Sequence, residues 1–120
     1  MIDDVKPVVK IFLAAPGGHG RPFCGPGMIR LLELINETGS VRHACENMQM
    51  SYSKGWKLLR GMDEYLQYPA AERKQGGIGG GKANLTEAGL AFLEKHRAFE
   101  TECQKVVRKL FDKHYPATTA

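Results

Sequence analysis

Residues 39–67 read GSVRHACENMQMSYSKGWKLLRGMDEYLQ, and their pattern indicates the fold class. Gly39 predicts the end of one helix, because a glycine in the left-handed conformation often closes the last turn. Ser40 can cap a second, short helix over about residues 41–48, and Ser51 can cap a third helix that extends to the end of the stretch. A short helix, a tight turn and a longer helix form a helix-turn-helix, whose second helix fits the major groove of DNA.

The third helix of this stretch has an apolar face and a polar face. The apolar residues recur at helical spacing and predict the core side: Gly55, Leu59, Met62 and Leu66, with Trp56 beside them. The small Ala44 and Cys45 allow the preceding helix to cross closely. Polar residues in the first half of the third helix predict contacts with base edges and phosphates: Ser51, Tyr52, Ser53, Lys54, Lys57 and Arg60. The alternative is that these cations form an ordinary solvated helix face.

A glycine run follows, in which residues 73–82 read RKQGGIGGGK between short predicted strands at 71–74 and 82–85. We interpret residues 70–85 as a β-hairpin wing whose tip lies on the DNA backbone or in the minor groove. Glycine lets backbone amides approach phosphates closely. The predicted contacts are Arg73, Lys74, Gln75, Gly76, Gly77, Gly79, Gly80, Gly81 and Lys82. An idle flexible loop explains the glycines but not the flanking cations.

The same run matches part of a nucleotide-binding P-loop, in the spacing of Gly76, Gly81 and Lys82. Ala83 stands where such a loop needs a magnesium-binding Ser or Thr, and residues 72–75 are not a buried apolar strand. A chain of 120 residues also leaves little room for the parallel sheet of such folds. We therefore expect no nucleotide site and no other cofactor.

The remaining elements complete a mainly α fold with small β content. Residues 5–24 predict an N-terminal hairpin with strands at 5–15 and 21–24, and a helix follows as far as Thr38. A long last helix is predicted over residues 87–114. Its apolar stripe suits the contact in a dimer, with packing within one chain as the alternative, and consists of Leu90, Leu93, Val106, Val107, Leu110 and Phe111. The expected architecture is a winged helix-turn-helix domain over residues 1–114, with a frayed tail at 115–120.

Composition limits the possible classes of function. The net charge is +4, and residues 51–85 hold six cations against three anions, so +3 of it lies in this stretch. No apolar run approaches the ~18 residues of a membrane span, and the acidic N-terminus is unlike a secretory signal, so we expect a cytoplasmic protein. The odd cysteine count predicts reduced thiols. We find no clustered metal ligands and no nucleophile–base pair, so we expect neither a metal site nor an enzyme.

The chain also resembles a known family, in FCGPG at 23–27, LLELI at 31–35, TGS at 38–40, SY at 51–52, GW at 55–56, GGIGGG at 76–81, LT at 85–86 and Gly89. Over roughly residues 8–100 it is similar to the N-terminal DNA-binding domain of ModE-type molybdate-responsive regulators, which are related to LysR-type winged helices. The resemblance implies a winged helix that dimerises through its N-terminal and C-terminal elements. It also implies that residues 51–57 and the wing at 73–82 lie on DNA.

Two departures from the family pattern have consequences. Gln49 stands at the turn position where the family often has glycine, so we expect a non-glycine residue in the left-handed conformation. The family's regulators carry a C-terminal molybdate-binding region, which is not found among these 120 residues. We therefore expect no direct binding of molybdate.

These observations favour a homodimeric transcriptional regulator that binds double-stranded DNA. The alternative is a winged helix that serves as a protein-interaction module, with a basic face that is only solvated. The two hypotheses differ in one property, because the module predicts no salt-dependent binding of DNA.

Overall fold

Four helices and four short strands lie along residues 4–17, 20–74 and 82–116, the parts of the chain that the computed structural model describes. In order they are β1 (Leu13–Ala14), β2 (Pro22–Cys24), α1 (Pro26–Thr38), α2 (Val41–Asn47), α3 (Tyr52–Leu66), β3 (Ala71–Arg73), β4 (Ala83–Leu85) and α4 (Glu87–His114). This confirms the predicted class: a mainly helical fold with small antiparallel hairpins and a long C-terminal helix, compatible with a winged helix-turn-helix.

The helix boundaries follow from local capping. Gly39 has φ 71° and its N–H donates to the Ile35 carbonyl at 2.8 Å, which closes α1. The Ser40 hydroxyl accepts the His43 N–H at 3.0 Å and begins α2. Ser51 caps α3 in the same way. Each of these side chains satisfies a backbone donor that the helix itself leaves unpaired.

The turn between α2 and α3 is closed by backbone hydrogen bonds. The Met50 N–H donates to the Cys45 carbonyl at 3.0 Å. Gln49 has φ 56°, so the expected left-handed residue is present without a glycine. Met48 and Met50 are half-buried and pack on the core beneath the turn.

The core is shared by all four helices. Its most deeply buried large side chains are Leu31, Leu32, Ile35, Leu59, Met62 and Leu93. Ala44 and Cys45 are buried where α2 crosses α3, as predicted. On α3 the predicted core face is confirmed for Gly55, Leu59 and Met62, whereas Trp56 and Leu66 are only half-buried.

The N-terminal strand is much shorter than predicted. The sequence predicts strands at 5–15 and 21–24, but the structure has only Leu13–Ala14 paired with Pro22–Cys24, with an irregular register between Leu13 and Ala14. A strand is stable only where a neighbour takes up its backbone hydrogen bonds, and β2 is too short to pair with residues 5–12. That segment instead lies along α4, where the Gln104 side chain donates to the Pro7 carbonyl at 3.2 Å.

The second hairpin packs against both ends of the helix-turn-helix. β3 and β4 are antiparallel, with Ala71 opposite Leu85 and Arg73 opposite Ala83, and each is one residue shorter than predicted. The Ala83 N–H donates to the Gly39 carbonyl at 2.8 Å, which ties β4 to the start of α2. The Ala70 N–H donates to the Asp63 carboxylate at 2.7 Å, which ties the start of β3 to the end of α3.

The long helix α4 joins the core only through its first part. Its four buried residues are Gly89, Phe92, Leu93 and His96, all within the first ten of its 28 residues. Beyond them the apolar Val106 and Leu110 are 57% and 50% exposed. In the described parts of the chain no helix combines the length and apolarity needed to cross a bilayer.

Candidate nucleic-acid interface

The polar face of α3 lies on the surface of the molecule. Its members Ser53, Lys54, Lys57 and Arg60 are all exposed, whereas Gly55, Leu59 and Met62 on the opposite face are buried. The structure thus brings the four polar side chains together on one side of the first half of α3. Their contact with DNA stays a prediction.

Ser51 lies at the start of this face and forms a cap. Its hydroxyl oxygen accepts the Lys54 N–H at 3.1 Å, and Ser51 itself is exposed. The other N–H groups of the first turn point out of the helix, where the helix dipole favours an anion. A phosphate at this end of α3 is therefore electrostatically favoured.

Tyr52 has a packing role as well as its predicted role at DNA. The guanidinium carbon of Arg42 lies 4.6 Å from the centroid of its ring, and the ring meets Trp56 edge-on with centroids 6.4 Å apart. A cation over an aromatic face is attracted by the ring's quadrupole. Tyr52 thus fixes Arg42 beside the N-terminus of α3.

Arg73, Lys74 and Lys82 lie where β3 and β4 lead toward the glycine run. All three are exposed, and the Lys74 N–H donates to the Lys82 carbonyl at 2.8 Å. The guanidinium carbon of Arg73 is 4.7 Å from the Trp56 ring centroid, so this side chain turns toward α3. The other predicted wing contacts lie outside the described residues: Gln75, Gly76, Gly77, Gly79, Gly80 and Gly81.

Within the described parts of the chain, the cations of α3 and of the hairpin form no ion pair with a carboxylate. The ion pairs among the described residues all lie on α1 and α4: Arg30–Glu33, Arg97–Glu33, His96–Glu100 and Arg108–Asp112. Asp63, the acidic residue nearest the polar face in the sequence, is half-buried and accepts the Ala70 N–H. The positive charge of this surface is therefore available to an anionic partner.

The buried cysteines have unreactive thiols. Burial, with a smaller effect from the Glu100 carboxylate, raises the pKa of Cys24 to about 11. Burial also raises the pKa of Cys45, although a hydrogen bond with the Gly55 backbone opposes the effect. Both thiols are protonated at neutral pH, the form that is a poor nucleophile and a poor metal ligand. In residues 4–17, 20–74 and 82–116, no three His, Cys, Asp or Glu side chains gather in a way that suits a metal ion.

Comparison with known proteins gives one consistent similarity, although no protein-family model matches the chain. It is 33% identical over 85 residues to the molybdenum transport protein ModE of Azotobacter vinelandii, covering 71% of this chain and 32% of that protein. It is 31% identical over 94 residues to the transcriptional regulator ModE of Haemophilus influenzae, covering 78% and 37%. With the DNA-binding transcriptional dual regulator ModE of Escherichia coli K12 it shares 30% over 90 residues, covering 75% and 34%.

The similarity to ModE proteins covers most of this chain, between 71% and 78% in these three cases. The chain spans about one third of the length of the curated relatives it matches, between 32% and 37% in these three cases. The similarity therefore concerns one part of those proteins.

One exposed cation on this surface was missed by the sequence analysis. Arg42 lies in the first turn of α2 and, through Tyr52, beside the start of α3. The sequence contains a usable indication, because a cation in the first turn of the first helix of a helix-turn-helix lies close to the DNA backbone that this helix crosses. Arg42 is thus a further candidate for contact with phosphate.

Proposed function

We propose that this chain is the DNA-binding part of a transcriptional regulator related to ModE proteins, with α3 in the major groove of double-stranded DNA. One observation carries the proposal: Ser53, Lys54, Lys57 and Arg60 form an exposed polar face, three of them cations, within the first nine residues of α3, the helix that follows a tight turn. The H. influenzae and E. coli relatives, a transcriptional regulator and a DNA-binding transcriptional dual regulator, support it.

Position along α3 divides the roles of these residues. Ser53 and Lys54 lie in the first turn, the part of a recognition helix that reaches base edges. Lys57 and Arg60 lie one and two turns farther along, where the groove walls present phosphates. Ser51 and the free N–H groups at the start of α3 favour a further phosphate.

The β3–β4 hairpin is the proposed wing. Lys74 and Lys82 are exposed at the end of the hairpin nearer the glycine run, where the neighbouring Arg73 contacts Trp56 of α3. We assign them to the DNA backbone, together with the glycine-rich residues between them. Such contacts contribute affinity without sequence preference, because phosphates are the same at every base pair.

Homodimerisation is the second part of the proposal. At 1.5 Å rise per residue, α4 is about 42 Å long, and its second half carries large apolar side chains that remain half-exposed or more in one chain. Val106 and Leu110 are 57% and 50% exposed there, and Val8 on the N-terminal segment is 82% exposed. Burying such a face against a second copy removes apolar surface from water. A symmetric dimer would recognise a pseudo-palindrome with half-sites about one or two DNA turns apart.

Fluorescence anisotropy of labelled mixed-sequence duplexes tests the DNA-binding function. We expect binding at about 50 mM salt that weakens steeply toward about 200 mM, because cationic side chains displace counterions from the duplex. The double variant Lys54→Glu, Lys57→Glu should abolish binding. Lys105→Glu, Arg108→Glu is the matched control, since it changes the charge equally on exposed residues of α4 that lie away from Val106 and Leu110. Absence of binding at low salt would contradict the proposal and favour a protein-interaction module.

A further inference from the structure

We propose that Arg73 is a positioning residue that holds the β3–β4 hairpin against α3 by stacking on Trp56, and so sets the distance between the wing and the recognition helix. The inference rests on the proposed function and deepens it. It changes the role expected for Arg73, which the sequence analysis placed among the phosphate contacts.

The contact joins two elements that are far apart in the sequence. The guanidinium carbon of Arg73 lies 4.7 Å from the centroid of the Trp56 ring. Trp56 meets Tyr52 edge-on one turn earlier on α3, and Tyr52 carries Arg42 of α2 at 4.6 Å. Two cations and two aromatic rings thus form a continuous array across α2, α3 and β3.

The indole ring of Trp56 is oriented by contacts of Arg73 and Tyr52 with the ring. Its Nε1 atom is shielded from solvent and has no hydrogen-bond partner among the described residues. Because no such bond orients the ring there, packing and the Arg73 stack determine its position. A planar guanidinium suits this contact better than an ammonium group, which is a compact and strongly hydrated point charge.

The Arg73–Trp56 contact lies at the end of the hairpin nearer the glycine run. The start of β3 is tied to α3 by the bond from the Ala70 N–H to Asp63. At the end of the hairpin nearer the glycine run, the Ala83 N–H of β4 donates to the Gly39 carbonyl, just before α2. Arg73, the last residue of β3, ties the same end to α3. Without the stack, the Ala83–Gly39 bond still holds β4 to α2, but β3 loses this contact with α3, so Lys74 can shift relative to the polar face of α3.

The test compares Arg73→Lys and Arg73→Ala with Lys74→Ala, a change at the neighbouring exposed cation of the same strand end. Trp56 is the only tryptophan of the chain, so quenching of its fluorescence by acrylamide reports on the stack in the absence of DNA. We expect both Arg73 variants to increase quenching and Lys74→Ala to leave it unchanged. Arg73 is exposed, so its variants should fold, and thermal unfolding followed by circular dichroism checks this.

Duplex binding of the same variants supplies the second measurement. We expect Arg73→Lys and Arg73→Ala to weaken binding equally, by about two- to fivefold for an exposed cation–aromatic contact. Lys74→Ala should lower the salt slope by about one unit, as for a lost phosphate contact. Wild-type affinity of Arg73→Lys would overturn the inference, because charge alone would then suffice. Failure of the wild-type protein to bind DNA would remove the function, whereas unchanged quenching in Arg73→Ala would overturn the stack itself.

Discussion

Gly55 of α3 lies directly against Cys45 of α2, so closely that a Cβ atom at Gly55 would overlap the Cys45 sulfur. The two residues are buried at the crossing of the two helices of the helix-turn-helix. The absence of a side chain at Gly55 therefore sets how near α2 approaches α3. The same approach fixes the direction in which the polar face of α3 projects.

The first prediction concerns this crossing. Gly55→Ala should lower the free energy of unfolding by ~1–3 kcal/mol, the usual cost of forcing extra volume into a packed core. In a Cys45→Ala background the same change should cost less than half as much, because the overlapping sulfur is gone. Urea unfolding of the wild type, both single variants and the double variant measures this coupling.

Gly61→Ala is the matched control on the same helix. A Cβ at Gly61 meets no described atom within 4 Å, so alanine there should stabilise the protein by ~0.5–1 kcal/mol through its higher helix propensity. Equal costs for Gly55→Ala with and without the Cys45 sulfur would show that the two residues do not limit the crossing.

The second prediction concerns pH. The pKa of Cys24 rises on folding from its ordinary value of 9.0 to about 11. Below pH 9 the thiol is protonated in both states and adds no pH dependence. Between these values the unfolded chain loses the proton and the native state keeps it, so stability falls as pH rises. Cys24→Ala should show a shallower loss of stability between about pH 9 and about pH 11 in urea unfolding.

Cys103→Ala is the control for removal of a thiol as such, since Cys103 is only half-buried on α4. Parallel curves for the wild type and Cys24→Ala would contradict the assignment of this pH dependence to the buried thiol.

Local features of the sequence were sufficient to predict the helices. Ser40, Ser51 and Thr86 satisfy backbone donors a few residues away, so capping is readable without knowledge of the tertiary structure. The apolar spacing of α3 likewise separated the buried Leu59 and Met62 from the exposed Lys54. Both kinds of evidence concern residues within one or two helical turns.

Features that depend on distant partners were not predicted correctly. Residues 5–12 have the composition of a strand, but pairing requires a neighbouring strand that the described part of this chain does not offer them. The contact of Arg73 with Trp56 depends on where the fold places the hairpin relative to α3, which neither residue's local sequence specifies. The role of Arg42 depends in the same way on Tyr52.

The third prediction separates base contacts from phosphate contacts. Lys54→Ala, in the first turn of α3, should weaken binding and alter base preference, at a cost of ~1–3 kcal/mol for a contact with a base edge. Lys82→Ala, at the base of the wing, should weaken binding to all sequences equally and reduce the salt slope by about one unit. Titrations of both variants against two or more duplexes at several salt concentrations measure these effects. Identical behaviour of the two variants would contradict this division of roles.

The fourth prediction concerns the apolar stripe on the second half of α4. Val106→Asp, Leu110→Asp places two charges on residues that are 57% and 50% exposed in one chain but buried in the proposed dimer. Size-exclusion chromatography with light scattering should give twice the 13.3 kDa chain mass for the wild type and the mass of one chain for the variant. Unpaired charges are excluded from apolar interfaces because their desolvation is not compensated.

Arg108→Ser, on the opposite side of α4, is the matched control and should remain dimeric, since it removes only the exposed pair with Asp112. Thermal unfolding should change little in the double variant, because these residues contribute little to the core of one chain.

The monomeric variant should bind a single half-site almost as well as the wild type but lose the gain from a paired site, because two linked half-sites bind with a high effective concentration. A wild-type protein that elutes as a monomer would contradict the dimer while leaving the binding of a half-site by α3 intact.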